Sequence, residues 1–471
     1  MPVKLPEAFS LQMQQLLPTG FDAFIQSYDA PRTYGLRMNP FKLAGRYPLL
    51  VEAVRQFRLE SVPWCTTGYY YDESTRPGKH PYHAAGLYYI QEPSAMTAAE
   101  LLEPQPGEFI LDMAAAPGGK TTQIAGKMLG RGILVANEIH PARAKILSEN
   151  AERCGIANII VTCASPEELS RRFAGLFDRI MLDAPCSGEG MFRKDEAAVN
   201  EWSESHVAMC AARQKDILDH AAILLKPGGR LVYSTCTFNR QENEEALESF
   251  CAKYPLFSIV KTERVWPHEQ RGEGHFIAVL QKASRGQAAQ ACEIQPARDQ
   301  SPGRNNRDRH SHPAAGAASL AADMALAQGF IDTTLPGGFA LGPGEPLRFG
   351  DALYWLPHLP GSGASPIRAN DLNGLKVPRP GLHLGDIRKN RLEPGHALAM
   401  AVPAQTAAWM QTYPPEAPEI AAYLHGETLA AETGSSGWGL VAVDGLPLGW
   451  GKASSGLIKN HLPKGLRRFS S

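Results

Sequence analysis

Two cysteines stand where the sequence predicts the ends of two strands. Cys186 lies in the segment Asp-Ala-Pro-Cys-Ser-Gly and Cys236 in Ser-Thr-Cys-Thr, each directly after an apolar run. In a parallel sheet the carboxyl ends of the strands face the ligand, so chemistry explains such a pair of thiols better than packing does. A cysteine thiolate is a nucleophile. When it adds to carbon 6 of a pyrimidine, carbon 5 becomes the nucleophilic end of an enamine.

This chemistry also assigns a role to the second cysteine. After carbon 5 has attacked a methyl donor, the covalent adduct must be undone. A second residue therefore helps to remove the proton from carbon 5 or to expel the thiolate. The alternative is that both thiols are small buried side chains with a packing role only.

A loop of small residues precedes a predicted helix that begins at Thr121. Small side chains let backbone amides approach a ligand, and the helix N-terminus adds further donors. The ending Gly-Lys-Thr resembles a phosphate-binding P-loop, but that motif needs a glycine at position 114, where this sequence has alanine. The predicted ligand loop consists of Ala114, Ala115, Ala116, Pro117, Gly118, Gly119 and Lys120.

An acidic residue follows the next predicted strand. Glu138 stands 26 positions after Asp112, where a carboxylate can accept hydrogen bonds from both hydroxyls of a ribose. The sequence therefore favours a cofactor that contains a nucleoside. The alternative is that Glu138 only caps the helix predicted to begin at Pro141.

These residues are positioned by an alternation of strands and helices between residues 108 and 282. Such an alternation predicts a mostly parallel, doubly wound sheet, that is, an α/β, Rossmann-like domain. Its long last helix is expected to stop at Lys226-Pro-Gly-Gly229. The predicted strands are Phe109–Met113, Gly132–Ala136, Asn158–Thr162, Asp178–Asp183 and Arg230–Thr235.

The composition excludes several classes of protein. The chain has 471 residues, enough for about three domains. Its net charge is only −1, so a polyanion must bind at a local basic patch. The eight cysteines include no Cys-x-x-Cys pair, which argues against a disulfide framework and against a metal site. No apolar run approaches the roughly 20 residues that cross a bilayer, and the N-terminus lacks the apolar core of a signal peptide. We expect a cytoplasmic protein without a membrane partner.

The motifs together resemble the Sun/Nop family of S-adenosylmethionine-dependent RNA cytosine-5 methyltransferases. The resemblance rests on the loop that ends at Lys120 and on the segments around Cys186 and Cys236, in this order and spacing. More narrowly, the chain is similar to the bacterial RsmF type, which acts on small-subunit ribosomal RNA. The resemblance covers residues 5–283 well and the remainder loosely. The narrower similarity rests on Asp183–Asp195, Arg264–His268 and Gly274–Phe276.

The resemblance implies roles for individual residues. Cys236 would be the nucleophile and Cys186 would assist release of the product. DNA cytosine-5 methyltransferases instead use the cysteine of a Pro-Cys pair, which would nominate Cys186. Asp183 would contact the cytosine at its N3 edge, and it also belongs to the implied cofactor site. Lys120 either orients a substrate or cofactor group or points to solvent.

The same resemblance implies that the loop from Ala114 to Lys120 and Glu138 hold S-adenosylmethionine. The chain departs from the family after the third strand, where Cys-Ala-Ser-Pro replaces an Asn and an acidic residue before Ser-Pro. Ser165 is the remaining candidate in this loop for the contact on the adenine side.

The predicted domain organisation has five parts. Residues 1–100 form an α+β subdomain for RNA binding or packing, and residues 101–283 form the methyltransferase domain. A flexible linker over 284–320 is expected from its polar, aperiodic composition. Residues 321–395 form an intermediate domain and 396–471 a β-rich, PUA-like RNA-binding module.

Several residues outside the catalytic domain are candidates for RNA contact. Arg37 either contacts RNA or supports the fold, and Tyr69–Tyr71 are either stacking platforms near Lys79 and His80 or half-buried strand aromatics. In the C-terminal module, Gly337–Leu356 and Leu382–Val402 predict short strands, and Trp438–Lys452 predicts a hairpin. The predicted basic patch there consists of Lys459, Lys464, Arg467 and Arg468.

These observations predict methylation of carbon 5 of cytosine in RNA through a covalent cysteine adduct. The predicted partner is 16S ribosomal RNA or the small ribosomal subunit, and we expect a monomer that does not act on DNA. Transfer RNA is the alternative substrate. An RNA-binding ribosome-assembly factor without activity is the alternative class of protein, although it would not need two thiols at strand ends.

Overall fold

Buried apolar strands in the middle of the chain form a seven-stranded sheet. The computed structural model describes residues 5–284, 317–359 and 366–467, and within them the strands form four sheets. In the seven-stranded sheet the order is β10-β11-β9-β8-β5-β6-β7. Its strands are β5 (Phe109–Asp112), β6 (Ile133–Asn137), β7 (Ile159–Thr162), β8 (Phe177–Asp183), β9 (Leu225–Thr235), β10 (Phe257–Val265) and β11 (His275–Lys282).

Helices cover both faces of this sheet, as crossover connections between parallel strands require. Strands β5 to β9 run parallel, whereas β10 and β11 are antiparallel to their neighbours. The helices of this domain are α6 (Thr97–Leu102), α7 (Gly119–Met128), α8 (Pro141–Arg153), α9 (Pro166–Arg172), α10 (Glu196–Glu201), α11 (Glu204–Leu224) and α12 (Glu244–Lys253).

The strand order brings the carboxyl ends of β5, β8 and β9 side by side. The chain leaves β5 toward β6 on one side and returns to β8 on the other, so a crevice opens between their ends. The antiparallel β11 begins at this same edge. The prediction of a doubly wound sheet is confirmed. Strand β9 begins earlier than predicted, at Leu225, because Lys226–Gly229 bulge out between its pairings with Phe177 and Arg179.

The N-terminal part is a small α+β unit, with the antiparallel sheet order β2-β3-β1-β4. Its strands are β1 (Gly35–Met38), β2 (Glu60–Ser61), β3 (Gly68–Tyr70) and β4 (Tyr88–Ile90). Its helices are α1 (Glu7–Leu16), α2 (Phe21–Gln26), α3 (Pro40–Leu43), α4 (Tyr47–Phe57) and α5 (Pro81–Ala84).

The C-terminal part contains a four-stranded sheet, β12-β13-β14-β15, and a five-stranded sheet, β16-β18-β19-β20-β17. The predicted hairpin is present as β18 and β19. The strands are β12 (Gly344–Phe349), β13 (Ala352–Pro357), β14 (Leu382–Arg388), β15 (Arg391–Pro394), β16 (Met410–Tyr413), β17 (Leu429–Ala430), β18 (Gly437–Val443), β19 (Leu446–Ser454) and β20 (Leu457–Asn460). The helices are α13 (Ala317–Thr334), α14 (His396–Ala401) and α15 (Pro418–His425).

Two predictions for the C-terminal part are wrong in detail. The predicted linker over 284–320 ends too late, because helix α13 begins at Ala317; residues 285–316 lie outside the described residues. The prediction of strands throughout Leu382–Val402 misses α14. Four consecutive residues of α14, from Ala397 to Met400, are buried, so the sequence shows an unbroken apolar run that fits a strand equally well. Arg468 of the predicted basic patch also lies outside the described residues.

The domains pack against one another through apolar surfaces. The N-terminal unit and the five-stranded sheet share one core cluster, in which Phe57 and Tyr82 lie with Tyr423 and Leu448. Within the described ranges, no helix combines the length and apolar character that a membrane span requires.

Candidate active site

Lys120 lies in the first turn of α7 and reaches across the end of β5 to Asp183, the last residue of β8. The Lys120 Nζ atom is 2.8 Å from Asp183 Oδ2. The lysine side chain is 9% exposed and the aspartate side chain 36%, so the carboxylate opens onto the crevice. Of the two alternatives for Lys120, the structure therefore excludes an ammonium that points freely to solvent.

The local charges keep both groups ionised. Burial disfavours the Lys120 ammonium, but the attraction and hydrogen bond of the Asp183 carboxylate outweigh it and raise the pKa of Lys120. Burial also opposes ionisation of Asp183. Lys120, His275 and the Ser234 hydroxyl, which donates a 2.7 Å hydrogen bond, nevertheless hold the Asp183 pKa below its usual value.

The two predicted catalytic cysteines lie in contact. Cys186 follows β8 and Cys236 follows β9, and their sulfur atoms are 3.3 Å apart. The hydrogen bond to Cys236, burial and the nearby Glu242 carboxyl all raise the pKa of Cys186 well above its usual value. The raised pKa favours the protonated form of Cys186, and either sulfur atom can donate the hydrogen bond between the two thiols.

A buried carboxyl group fixes the loop that carries Cys186. Glu242 accepts hydrogen bonds from the Ser187 backbone N–H (2.9 Å) and the Gln214 side chain (2.8 Å), and it also bonds the Ser187 hydroxyl. Burial raises the pKa of Glu242 to about 7, although these hydrogen bonds oppose the shift. Because Glu242 follows β9, it joins the two loops that bear the cysteines.

An open cleft lies beside the Lys120–Asp183 pair. Its volume is about 200 Å³, and it is open to solvent on one side. Residues 89–92 of the N-terminal unit form one wall, and the predicted ligand loop forms the other. Gly118, at the turn of this loop, has a φ of 113°, and a Cβ atom there would lie 3.2 Å from Leu147 Cδ1. Only glycine fits without strain at this position.

Asp112 lies at the floor of the cleft and is fully buried. Its Oδ2 atom accepts a 2.6 Å hydrogen bond from the Thr121 hydroxyl, whereas Oδ1 has no hydrogen-bond partner among the described residues. Burial raises the pKa of Asp112 to about 7, despite the hydrogen bond from Thr121. A buried oxygen without a partner at the floor of a cleft fits a ligand that brings its own hydrogen-bond donor.

Glu138 and Ser165 do not line this cleft. Glu138 is buried, accepts a 3.0 Å hydrogen bond from the His140 N–H and lies 3.3 Å from Arg143. Arg143 in turn donates to the carbonyl of Ala116, so Glu138 supports the ligand loop from behind. The Ser165 hydroxyl accepts from the Glu168 N–H and caps α9. Both side chains therefore already have structural partners.

Arg37 joins the N-terminal unit to the ligand loop. Its buried guanidinium donates to the Gln91 side chain (3.0 Å), the Gly119 carbonyl (3.2 Å) and the Thr122 hydroxyl (2.6 Å). The structure thus favours support of the fold over RNA contact for Arg37. Tyr70 is likewise buried within β3. The guanidinium carbon of Arg271 lies over its ring, 4.1 Å from the ring centre.

Two further residues at this edge of the sheet, Asp112 and His275, were not predicted from the sequence to have a role. Glu92 lines the cleft, and His275 begins β11 beside it. The position of Asp112 at the end of the first strand was a usable signal, because acidic residues there face the ligand. His275 belongs to the segment Gly274–Phe276, which supports the family resemblance, but its place at this edge depends on antiparallel pairing at the far end of the domain. No group of three or more potential metal ligands occurs among the described residues.

Two features define a class I methyltransferase. One is the strand order, and the other is the cleft at the ends of β5 and β8, where the chain leaves β5 on one side and returns to β8 on the other. Family models match the chain in four consecutive parts. They are the N-terminal domain of 16S rRNA methyltransferase RsmF (residues 5–93), 16S rRNA methyltransferase RsmB/F (99–281), the first C-terminal domain of RsmF rRNA methyltransferase (329–402) and the PUA domain of methyltransferase RsmF (411–468).

Curated relatives match over nearly the whole chain. The ribosomal RNA small subunit methyltransferase F of Klebsiella pneumoniae (strain 342) is 33% identical, over 99% of this chain and 97% of the relative. That of Shewanella amazonensis is 30% identical over 99% of both chains. This chain belongs to the ribosomal RNA small subunit methyltransferase F family. The resemblance to RsmF-type members of the Sun/Nop family, and the prediction of a methyltransferase, are confirmed.

Solved structures match about three fifths of the chain. A methyltransferase homolog protein from Pyrococcus horikoshii is 27% identical, with a TM-score of 0.54 over 59% of this chain and 96% of that one. NSun6 from the same organism, crystallised with SFG, is 21% identical with a TM-score of 0.54 and covers 60% of this chain. The second likeness concerns the fold alone.

Proposed function

We propose that this protein transfers the methyl group of S-adenosylmethionine to carbon 5 of a cytosine in 16S ribosomal RNA. One observation carries the proposal: the sulfur atoms of Cys186 and Cys236 lie 3.3 Å apart, next to the ionised Lys120–Asp183 pair and the adjoining cleft. A nucleophile, a proton donor and a charged pair thus meet at one edge of the sheet. Methylation of an oxygen or nitrogen atom would require no thiol pair.

The cleft fits S-adenosylmethionine, which supplies an electrophilic methyl group when it is bound. The buried Asp112 oxygen without a protein partner matches the ammonium group of the methionine part. The small residues from Ala114 to Gly119 leave room for backbone contacts. Glu138 remains our candidate for the ribose hydroxyls and Ser165 for the adenine side, although each would have to give up or share a hydrogen bond that it already makes.

The Lys120–Asp183 pair prepares the base. Asp183 hydrogen-bonds the N3 edge of the cytosine and favours its protonation, which makes carbon 6 more electrophilic. Lys120 fixes the orientation of Asp183 and keeps it ionised in the buried crevice. The charged pair is therefore formed before the base arrives.

The thiols then carry the covalent steps. The Cys236 thiolate forms a bond to carbon 6, and the electron pair of the 5,6 double bond moves to carbon 5. Carbon 5 would then take the methyl group of the bound donor, whose sulfur–methyl bond would break and leave a neutral thioether. A base removes the proton from carbon 5, the double bond forms again, and the sulfur–carbon bond breaks. In this proposal Cys186 donates its S–H hydrogen bond to Cys236 and so stabilises the departing thiolate.

The substrate and setting are proposed from the family. The chain has an N-terminal part and a PUA part that match RsmF models, and we propose that both extend the contact with RNA beyond the target base. Because the proposed substrate is ribosomal RNA, we place the reaction in the cytoplasm. We also propose that the protein acts as a monomer.

The test is transfer of labelled methyl from S-adenosylmethionine to unmodified 16S ribosomal RNA, free and in assembled small subunits, with unmodified transfer RNA in parallel. Bisulfite sequencing then locates the product. We expect label at carbon 5 of ribosomal cytosine. Label in transfer RNA alone would keep the chemistry and overturn the substrate. Binding of the methyl donor without transfer to any RNA would favour an assembly factor.

A further inference from the structure

A second concave site lies between the N-terminal unit and the catalytic domain. This groove has a volume of about 430 Å³ and is open to solvent. Residues 30–34 and Tyr71 form one side of it, and residues 267–271 form the other. The only acid in its lining is Glu269, whose side chain is 57% exposed. The cations and rings of the lining are Arg32, Tyr34, Tyr71, Arg193, His268 and Arg271.

Both sides of the groove are bonded to the wall of the cleft formed by residues 89–92. Gly35, which follows Tyr34, accepts a 3.0 Å hydrogen bond at its carbonyl from the Gln91 N–H. On the other side the Glu273 N–H, two residues after Arg271, donates a 2.9 Å hydrogen bond to Glu92. Gln91 and Glu92 line the cleft, so the groove adjoins the cleft wall.

A buried arginine holds the two sides of the groove together. The Arg193 guanidinium donates to the Ser27 carbonyl of the N-terminal unit (3.0 Å) and to the Gly272 carbonyl of the catalytic domain (2.9 Å). It also donates a 2.9 Å hydrogen bond to the buried Glu273 carboxylate. Because these bonds cross from one domain to the other, the groove is formed before any ligand binds.

Two other arginines of the lining have donors to spare. Arg32 is exposed and makes no hydrogen bond or ion pair with any residue that the structure describes. Arg271 lies flat over the ring of Tyr70 and pairs with Glu60 through Nη1 alone, and both partners of this ion pair are at least 60% exposed. Its Nε and Nη2 groups have no partner in the described ranges. A guanidinium edge of this kind matches the oxygens of a phosphate group.

The aromatic side of the groove consists of two adjacent rings. The Tyr34 and Tyr71 ring centres are 5.7 Å apart, and both side chains are half-buried. The Tyr71 N–H donates a 3.2 Å hydrogen bond to the Tyr34 carbonyl, and the Tyr34 hydroxyl donates a 2.7 Å hydrogen bond to Glu73. These bonds fix the rings in place. A fixed ring beside a cation is the usual platform for an unpaired base.

We propose that this groove binds the single-stranded RNA next to the target cytosine. Phosphates lie at Arg32 and Arg271, and an unpaired base stacks on Tyr34 or Tyr71. The inference rests on the proposed function, because it takes the occupant of the neighbouring cleft edge to be a cytosine of RNA. Its own support is the pairing of unused guanidinium donors with fixed rings, which complement the phosphate and the base of one nucleotide.

The first test measures binding of 16S ribosomal RNA as a function of salt. The variant Arg32→Ala/Arg271→Ala is compared with Arg55→Ala/Arg131→Ala, which removes one exposed arginine from each of the same two units outside the groove. Losing two phosphate contacts to a single strand should reduce the slope of log K against log salt by about 1.4. Relative to 1 M salt, this change weakens binding about 25-fold at 0.1 M. The control should bind as the wild-type protein does.

The second test concerns the ring and the position of the RNA. Tyr34→Ala should weaken binding of a ribosomal RNA fragment with the mapped target cytosine about 10-fold, the usual worth of one stacked base. Tyr34→Phe, which keeps the ring, should stay within about 2-fold of the wild-type protein. Two shorter fragments end at the target, one on its 5′ side and one on its 3′ side. With one of them the effect of Tyr34→Ala should vanish, because the stacked nucleotide is missing.

Several outcomes would overturn the proposal. An unchanged salt slope in the double arginine variant, or a Tyr34→Ala defect that persists with both shortened fragments, would remove RNA from the groove. Weaker binding of the methyl donor in these variants would show that the residues support the cleft instead. A defect seen with assembled subunits but not with free RNA would assign the groove to a ribosomal protein. Failure of the proposed function looks different: the wild-type protein would transfer no methyl group, while the salt slopes would still report on the groove.

Discussion

The surroundings of Cys186 support our assignment of roles to the two sulfur atoms of the site. Cys186 is held protonated by its hydrogen bond to Cys236 and by burial. We expect Cys236→Ala to abolish methyl transfer and adduct formation, because no other described thiol lies at this position. Cys186→Ala should still methylate the base but release it at least 100-fold more slowly, so a protein–RNA adduct accumulates on denaturing gels in the presence of the methyl donor.

Cys251→Ala is the matched control for both variants, since Cys251 lies on α12, away from the cleft, and is free. It should leave transfer and release unchanged. An adduct that forms without Cys236 and requires Cys186 would reverse our assignment of the two thiols.

The Lys120–Asp183 pair predicts a change in the pH profile. Lys120 is the strongest influence that lowers the pKa of Asp183 against burial. In Lys120→Met the Asp183 pKa should rise, so the acid limb of kcat should move to higher pH, and kcat at pH 7.5 should fall about 100-fold. The rate of methyl transfer across pH 5.5–8.5 tests this. Loss of rate with an unmoved acid limb would mean that Lys120 acts on the base directly and not through Asp183.

At the scale of elements, the loops after β8 and β9 depend on one buried carboxyl group. Burial raises the pKa of Glu242 from 4.5 to about 7. As the pH rises, Glu242 therefore loses its proton at a lower pH in the unfolded chain than in the folded protein. The contribution of Glu242 to stability is full below about pH 4.5, falls as the pH rises and is lost above about pH 7. Since one pKa unit corresponds to about 1.4 kcal/mol, the loss is at most about 3 kcal/mol.

Glu242→Gln removes the titration and retains the shape of the protonated group, with the amide oxygen toward Ser187 N–H and Gln214. We expect the variant to match the wild-type protein in thermal unfolding at pH 5 and to exceed it at pH 8. A difference in unfolding temperature between the two proteins that does not change with pH would contradict this prediction.

The elements that could be predicted from sequence are those whose signal is local. The strands β5 to β8 are short apolar runs between turn residues, and each was placed to within about one residue. The helix α14 was missed because six residues are too few to reveal a period. At the site, Cys186, Cys236 and Asp183 follow from their position at strand ends. His275 does not, because it reaches this edge of the sheet only through the antiparallel pairing of β11 with β9.

At the scale of the whole molecule, hydrogen bonds join domains that lie far apart in the sequence. The segment before β14 forms an extra edge beside β7, where Val161 N–H donates to the Arg379 carbonyl (2.7 Å) and Cys163 N–H to that of Lys376 (2.8 Å). In the N-terminal unit, the buried Lys42 ammonium donates a 2.6 Å hydrogen bond to the Met400 carbonyl. The C-terminal part therefore packs on both the catalytic domain and the N-terminal unit. This packing fixes the position of the five-stranded sheet relative to the cleft.

One carboxylate of the catalytic domain carries much of this docking. Glu152 on α8 accepts a 2.8 Å hydrogen bond from His396 and lies 3.3 Å from the buried Arg379. Removing it leaves Arg379 buried without its counter-ion, which typically costs about 3–5 kcal/mol. Burial opposes ionisation of Glu152, but His396 and Arg379 hold its pKa below the usual value. The stabilisation is therefore present above about pH 4.5 and is lost as the pH falls through the lowered pKa.

We expect Glu152→Ala to lower the unfolding temperature and to expose the chain to limited proteolysis between the catalytic domain and the C-terminal sheets at pH 7. Glu149→Ala, one turn earlier on the same helix, is the control, because that side chain is 51% exposed and its partner Lys145 is 3.8 Å away. If the C-terminal part serves to hold RNA near the cleft, Glu152→Ala should also raise KM for the RNA while the affinity for the methyl donor stays unchanged. Identical proteolysis of the two variants would show that the apolar contacts alone dock these domains.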